Sequence, residues 1–172
     1  PDANLQGIDN SPAMIATATR DYPEWQWQLG EISAWSPSSP VDVVFSNAAL
    51  QWLPDHSRNL PRLFDQVAPG GAFAFQVPAN FDAPPHRLMR ELGCSDAWRP
   101  LFRTPVREWH AETSSYYYDL LAPLASRMDV WMTDYVHIMP GPEAIVEWYR
   151  GSGLRPWPES LPSEATRERF LA

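Results

Sequence analysis

Lysine is missing altogether: every one of the 13 basic residues is an arginine. An anion site in this chain must therefore be built from Arg, His or backbone N–H groups. The plainer reading of the lack is a base-composition bias in the coding sequence. There is one cysteine, Cys94, which excludes an internal disulfide and a cysteine-rich zinc centre. No apolar run approaches the roughly 18 residues that a membrane-crossing helix needs. Positive charge is scarce overall, and the net charge of −8 argues against nucleic acid and anionic membrane surfaces as partners. The start, Pro1-Asp2-Ala3-Asn4, is polar and carries neither an initiator Met nor a visible signal peptide, so a cytoplasmic location is expected.

What the chain does have is apolar mass and punctuation. Its 172 residues are 44% hydrophobic and 20% charged, the balance of a globular domain with a core. Nineteen prolines and nine tryptophans point to many short loops and an aromatic interior or pocket. There are no internal repeats and no low-complexity tracts.

The stretch Val41-Asp42-Val43-Val44-Phe45 followed by Ser46-Asn47 is central. A short β-branched and aromatic run of this kind predicts a parallel strand covered on both faces. Ser46 and Asn47 then lie at its carboxyl end, where open α/β sheets bind ligands. Before it, Leu5 to Asp9 reads as a strand ending on an acid. Ser11 and Pro12 open a helix as N-cap and first residue. Trp25 to Leu29 alternates as a short strand.

After the central strand, Asp55 is placed to cap a helix from about His56 to Val67, whose apolar residues Leu60, Leu63, Phe64 and Val67 recur at helical spacing. Pro69-Gly70-Gly71 ends that helix, and Ala72 to Val77 is another apolar strand. The order β-α-β-loop-β-α-β predicts a parallel sheet with helices on its faces. Further on, helices are expected from Pro84 to about Leu92, Ser114 to Leu124, Pro142 to Tyr149, and from a capped start near Ser163. Met128 to Met139 alternates well, with Val130, Met132, Asp134, Val136 and Ile138 on one face, and predicts a strand. Residues 1–80 are thus expected to form a partial cofactor-binding core, 81–127 a helical cap, 128–139 a further core strand and 140–172 a helical insertion.

An acid ending a sheet strand just ahead of a helix can accept both hydroxyls of a ribose. Asp9 is that candidate, although an acid before a Ser-Pro helix start also serves as a partner for the helix dipole. Several blocks together are more specific: Gly7-Ile8-Asp9-Asn10-Ser11-Pro12-Ala13-Met14, Gly30-Glu31-Ile32, Val41 to Ala48, Leu53-Pro54-Asp55-His56 and Ala68-Pro69-Gly70-Gly71. In order and spacing they resemble class I S-adenosylmethionine-dependent methyltransferases. Four further blocks, Ser46 to Trp52, Phe75 to Asn80, Met128 to Trp131 and Ile145 to Trp148, resemble the trans-aconitate methyltransferase subfamily, and the likeness runs over nearly the whole chain.

The resemblance implies a Rossmann-like sheet with helices on both faces and a helical substrate cap, lacking its first and last strands in these residues. The family's glycine-rich loop follows that first strand, so the chain is expected to be the middle of a longer protein. It implies S-adenosyl-L-methionine as cofactor and S-adenosyl-L-homocysteine as product. Asp9 would hold the ribose diol, Asn10 and Met14 would line adenine, Glu31 and Ile32 would bracket it, and Asn47 would lie beside the methionine part. Family members commonly carry Asp where this chain has Glu31.

On the acceptor side it implies a small polycarboxylate, and Arg is the cation whose planar fork suits one. The arginine candidates are Arg87, Arg90, Arg99, Arg103, Arg127, Arg150 and Arg155, most of them equally readable as solvated surface residues. Arg127 and Arg150, with Trp52, Tyr118, Trp131, Tyr135 and His137, make up the expected substrate set. Trp131, Tyr135 and His137 share one face of the expected strand, which suits a core face as well as a pocket.

A carboxylate is ionised near neutral pH, so no general base, catalytic dyad or metal is expected, and positioning would do the work. Two other readings stay open: a different small acid, phenol or amine as acceptor, and a non-catalytic module that binds a partner through its Trp-rich surface. A monomer or homodimer is expected.

Overall fold

The computed structural model describes residues 3–106, 110–150 and 153–171. The chain divides into two compact units, Pro1–Gln76 and Val77–Ala172.

The first unit is the alternating α/β part. Strand β1 (Gln6–Asp9) leads into helix α1 (Pro12–Asp21) and strand β2 (Gln26–Leu29); strand β3 (Val41–Asn47) leads into helix α2 (His56–Phe64) and strand β4 (Val67–Gln76). β1 pairs parallel with β2, Gln6 opposite Gln26 through Asp9 opposite Leu29. β3 pairs parallel with β4, ending with Asn47 opposite Gln76. These are two separate two-stranded ladders rather than one continuous sheet among the described residues. The strand that the resemblance puts at the sheet's centre has no counterpart among the described residues.

Local chemistry explains the elements. At α1, Ser11 sits in extended backbone, its Oγ accepts the Met14 N–H, and Pro12 occupies the first helical position, where its missing N–H costs nothing. Helix α2 buries His56, Asn59, Leu60 and Leu63, the i, i+3, i+4, i+7 stripe of a helix packed on one side. Leu60 is 0% exposed and Leu63 2%. Phe64 meets the edge of Phe73 on β4 at 6.5 Å.

Asp55 caps α2 from the left-handed region, at φ 51°, with its carboxylate accepting the Arg58 N–H. Asp tolerates that conformation because its short polar side chain bonds locally. Asp55→Ala would keep the unfavourable φ and lose the cap. It is expected to lower the first unit's unfolding free energy by about 1–2 kcal/mol, read from urea melts, with Asp55→Asn close to the parent.

Three expectations on this unit change. The helix predicted to reach Val67 ends at Phe64, and Val67 instead starts β4. Pro69-Gly70-Gly71 does not separate helix from strand; it forms a bulge inside β4, opposite the register shift between Val41 and Val43. Gly70 takes φ +85°, a conformation that a side chain would strain, and a Cβ on Gly71 would lie 2.4 Å from the Asp42 carbonyl oxygen, so backbone conformation requires the first glycine and the close approach of β3 the second. Finally, β3 is not covered on both faces: Val43 and Phe45 are 59% and 73% exposed. An apolar run records which surface prefers burial, and no element of the described residues covers that face.

The second unit is helical: α3 (Pro84–Cys94), α4 (Ser114–Leu121), α5 (Pro142–Arg150), α6 (Pro156–Glu159) and α7 (Glu164–Leu171). Its core is Leu154, Trp157, Leu161 and Phe170, with Met89, Trp98, Leu101, Phe102 and Tyr149 packed against it. Phe102 and Trp98 meet their aromatic neighbours edge-on, the arrangement ring quadrupoles favour. Ser163 caps α7 as expected from the sequence, accepting the Thr166 N–H.

Residues 128–139 correct the sequence reading. The alternation is there, but no strand forms. A strand needs a neighbour for its N–H and C=O groups, and no ladder engages this stretch among the described residues. Trp131, Val136 and Ile138 are accordingly 78%, 89% and 96% exposed. The segment has the pattern of a strand without the pairing that makes one.

His86 is buried on α3 against Tyr149, with ring centroids 5.0 Å apart. Burial, and then the nearby Arg90 charge, push its pKa below the ordinary histidine value. The unfolded chain therefore takes up a proton near pH 6.5 that the folded chain still refuses. Stability is expected to fall as pH drops through that value and to level off below the folded pKa. Melting temperatures at pH 7.5 and 5.5 check this. The gap should shrink in His86→Phe, which cannot titrate, and an equal gap in both proteins would disprove the assignment.

Candidate functional site

The carboxyl ends of β1 and β2 lie side by side, because the strands are parallel and in register. This places Asp9 and the Gly30-Glu31-Ile32 turn together. The Gly30 N–H donates to the Asp9 carbonyl at 2.9 Å. The Asp9 carboxylate accepts the Ser11 N–H through Oδ1 at 2.7 Å, a short charge-assisted bond that fixes its rotamer. Its other oxygen has no hydrogen bond among the described residues. Asp9 is half-buried. Asn10 reaches across and donates from Nδ2 to Glu31 Oε1 at 3.1 Å. Met14 lies in the first turn of α1, 59% exposed. Ile32 begins a single 3₁₀ turn, Ile32–Ala34.

Asn47 ends β3, exposed, opposite Gln76. Ala48 then turns the chain with φ 52°, a conformation costly for a residue with a Cβ. Its surroundings hold it there. The Ala48 N–H donates to the Gln76 carbonyl at 2.9 Å, and Gln51 Nε2 donates to the Ala48 carbonyl at 2.7 Å. His56 Nε2 lies 2.9 Å from the Leu50 carbonyl. Trp52, half-buried, closes the 3₁₀ turn Leu50–Trp52. Strain over-determined in this way is characteristic of functional turns.

The sequence-predicted donor-side residues thus fall into two strand-end groups in the first unit: Asp9, Asn10, Met14, Glu31 and Ile32 at one ladder, and Asn47 at the other. Sequence reasoning missed Arg62, which donates to the carbonyls of Trp35 and Ile32. It also missed Gln51 and His56 as supports of the Ala48 turn. Their targets are backbone carbonyls, which leave no residue-type signature in a sequence.

In the second unit, two of the expected substrate residues, Tyr118 and Trp131, line one open cavity of about 370 Å³ with Ser114, Ser115 and Asp119. The others are not gathered there. Arg127 pairs with Asp129 at 3.0 Å and Arg150 with Glu147 at 3.0 Å, all on the surface. Tyr135 is 69% exposed. His137 lies against Trp148, with ring centroids 4.4 Å apart. The shared strand face expected of Trp131, Tyr135 and His137 is lost with the strand. Of the other arginine candidates, Arg87, Arg90 and Arg155 each pair with a nearby acid.

Parallel ladders with helices between their strands and an acid at a strand's carboxyl end place this part of the chain among α/β domains, in which that end is where ligands bind. A methyltransferase-domain family model matches residues 2–75, essentially the first unit. The trans-aconitate 2-methyltransferase of Azoarcus sp. (strain BH72) is 43% identical over 172 residues, covering 100% of this chain and 67% of the relative. Those of Yersinia pseudotuberculosis serotype O:1b (strain IP 31758) and Yersinia pestis (strain Pestoides F) are each 44% identical, covering 99% of this chain and 66% of the relative. The chain belongs to the trans-aconitate 2-methyltransferase family of class I methyltransferases. It spans about two thirds of the length of the curated relatives it matches. Methyltransferases of this family take their methyl group from S-adenosyl-L-methionine.

No helix of the described residues is long and apolar enough to cross a membrane.

Proposed function

We propose that the protein containing this chain transfers a methyl group from S-adenosyl-L-methionine to a carboxylate oxygen of a small polycarboxylic acid such as trans-aconitate. The observation that carries this reading is the strand-end cluster: the Asp9 carboxylate, oriented by the Ser11 N–H with one oxygen to spare, beside the bonded Asn10–Glu31 pair. This donor set fits the cofactor's nucleoside. A half-buried carboxylate accepts from vicinal hydroxyls, and Glu31 with the Ile32 backbone suits the hydrogen-bonding edge of adenine. Asn47, on its strained turn, is the residue for the methionine part.

The cofactor supplies an electrophilic methyl group on a sulfonium. The chain's own work is to bind and align. An acceptor carboxylate is already ionised near neutral pH, so no side chain need remove a proton, and near-attack geometry can provide most of the rate. The names of the relatives support trans-aconitate as acceptor. Tyr118 and Trp131, on their common cavity, are the substrate residues we retain. Arg127 and Arg150 are proposed only as carboxylate partners that would have to leave Asp129 and Glu147. We place the reaction in the cytoplasm, in a monomer or homodimer, without nucleic-acid or membrane partners.

Calorimetry of the full-length protein with S-adenosyl-L-homocysteine tests the donor half. Mass detection of a methyl ester, across a panel of trans-aconitate, other small acids, phenols and amines, tests the acceptor half. Tight donor binding with ester formed from trans-aconitate alone is the expected outcome. Binding with turnover of a phenol or amine instead would move the acceptor assignment, and no donor binding would leave a non-catalytic module.

A further inference from the structure

Arg62 lies on α2, well away in sequence from the turn that follows β2, yet its guanidinium holds that turn. Nη1 donates to the Trp35 carbonyl and Nη2 to the Ile32 carbonyl. The planar fork engages both ends of the 3₁₀ turn Ile32–Ala34 at once, a bidentate geometry that Lys cannot reproduce. A second tie runs parallel to it: Ser36 Oγ donates to Gln66 Oε1 at 3.2 Å, and Gln66 Nε2 donates back to the Arg62 carbonyl at 3.0 Å. One end of α2 is thus clamped to residues 32–36. Arg62 is half-buried and makes no ion pair with an acid among the described residues. Both bonds are made by a charged donor, and charge-assisted bonds of this kind are stronger than neutral ones.

The clamped turn begins one residue after Glu31. Immediately upstream, Glu31 accepts from Asn10, and Gly30 donates to Asp9. The direction of the Ile32 backbone and the reach of the Glu31 carboxylate are therefore set from both sides, by β1 on one and by Arg62 on the other. We propose that Arg62 is a positioning residue for the nucleoside end of the donor site: it touches no ligand, and it sets the conformation of the Glu31–Ile32 turn that recognises adenine. This rests on the methyl-donor reading above.

The test uses the full-length protein, with Arg62→Lys and Arg62→Gln, and Ser36→Ala as a milder variant that loosens the same turn from its other tie. Affinities for S-adenosyl-L-homocysteine and for 5′-methylthioadenosine, which has the nucleoside but no amino-acid part, are measured by calorimetry beside the melting temperature. Losing a hydrogen bond to a charged recognition group such as the Glu31 carboxylate weakens binding by about tenfold or more. We expect Arg62→Gln to weaken both ligands by a similar factor, about tenfold or more. Arg62→Lys should lie between it and the parent, and kcat at saturating donor should hardly change. Ser36→Ala should follow in the same direction with a smaller factor, and this keeps the test alive if Arg62→Gln fails to fold. A lower melting temperature with unchanged affinity for both ligands would make Arg62 merely structural and overturn the proposal. A parent protein that binds neither ligand would overturn the underlying reading instead, so the two failures are distinct.

Discussion

Asp9→Asn is expected to weaken S-adenosyl-L-homocysteine binding by about 10- to 150-fold, since a hydrogen bond to a charged group contributes roughly 1.5–3 kcal/mol. The amide keeps the size of the side chain and one carbonyl oxygen, so the bond from the Ser11 N–H at 2.7 Å can survive. What goes is the charge and the second acceptor that a ribose diol needs. Asp9→Ala removes the Ser11 bond as well and releases the start of α1, so its loss should be larger. Calorimetry on the full-length protein reads both. The order matters more than either value: parent, then Asn, then Ala. If both variants bound as the parent does, Asp9 would be a helix-dipole partner only, and the nucleoside site would have to lie elsewhere.

The largest effect on stability is expected in the second unit, at Trp157 and Gly93. Trp157 is 7% exposed and stacks on Phe170 at a ring separation of 6.3 Å, with Phe102 meeting its edge at 5.7 Å. Truncating a buried Trp to Ala costs about 3–5 kcal/mol, from lost transfer energy plus the cavity left behind. Gly93 is the other half of this contact. It lies in the last turn of α3, where glycine is normally unfavourable by about 1 kcal/mol relative to alanine. The reason for it is space: a Cβ there would fall 1.9 Å from a Trp157 ring carbon. Gly93→Ala should therefore destabilise despite the better helix propensity, by about 1–3 kcal/mol for overpacking.

The two substitutions share one contact, so they should not add. In Trp157→Ala the Gly93→Ala change should cost little or even help. Chemical melts of the four proteins in a double-mutant cycle check this, and strict additivity would show that the clash is relieved elsewhere.

Much of this was legible from residues alone. Ser11-Pro12, Asp55 and Ser163 each carry a helix start in their own side chains, because a cap bonds within three residues. Val41 to Phe45 is a strand by composition, and Leu5 to Asp9 reads as a strand ending on an acid. The acid at the end of β1 needed no coordinates to be noticed. These are features whose interaction partners are close in sequence or whose residue types are themselves the signal.

The errors have the opposite character. Pro69-Gly70-Gly71 looks like a terminator, yet it is a bulge, because what decides its role is how close β3 comes at Asp42. Residues 128–139 alternate well and still form no strand, because alternation specifies two faces and says nothing of a hydrogen-bonding neighbour. Arg127 and Arg150 suit a carboxylate, but each has an acid within reach on its own segment.

The residue pattern by itself determined the order of elements, their caps, and which side chains have the chemistry for a nucleoside and a carboxylate. Only the tertiary structure decided which of them meet: Asn10 with Glu31, Arg62 with the turn after Glu31, Trp157 with Gly93. Local hydrogen bonding and periodicity are properties of neighbours in the chain, whereas contacts to backbone carbonyls and packing against a bare Cα depend on segments tens of residues apart being brought to one place.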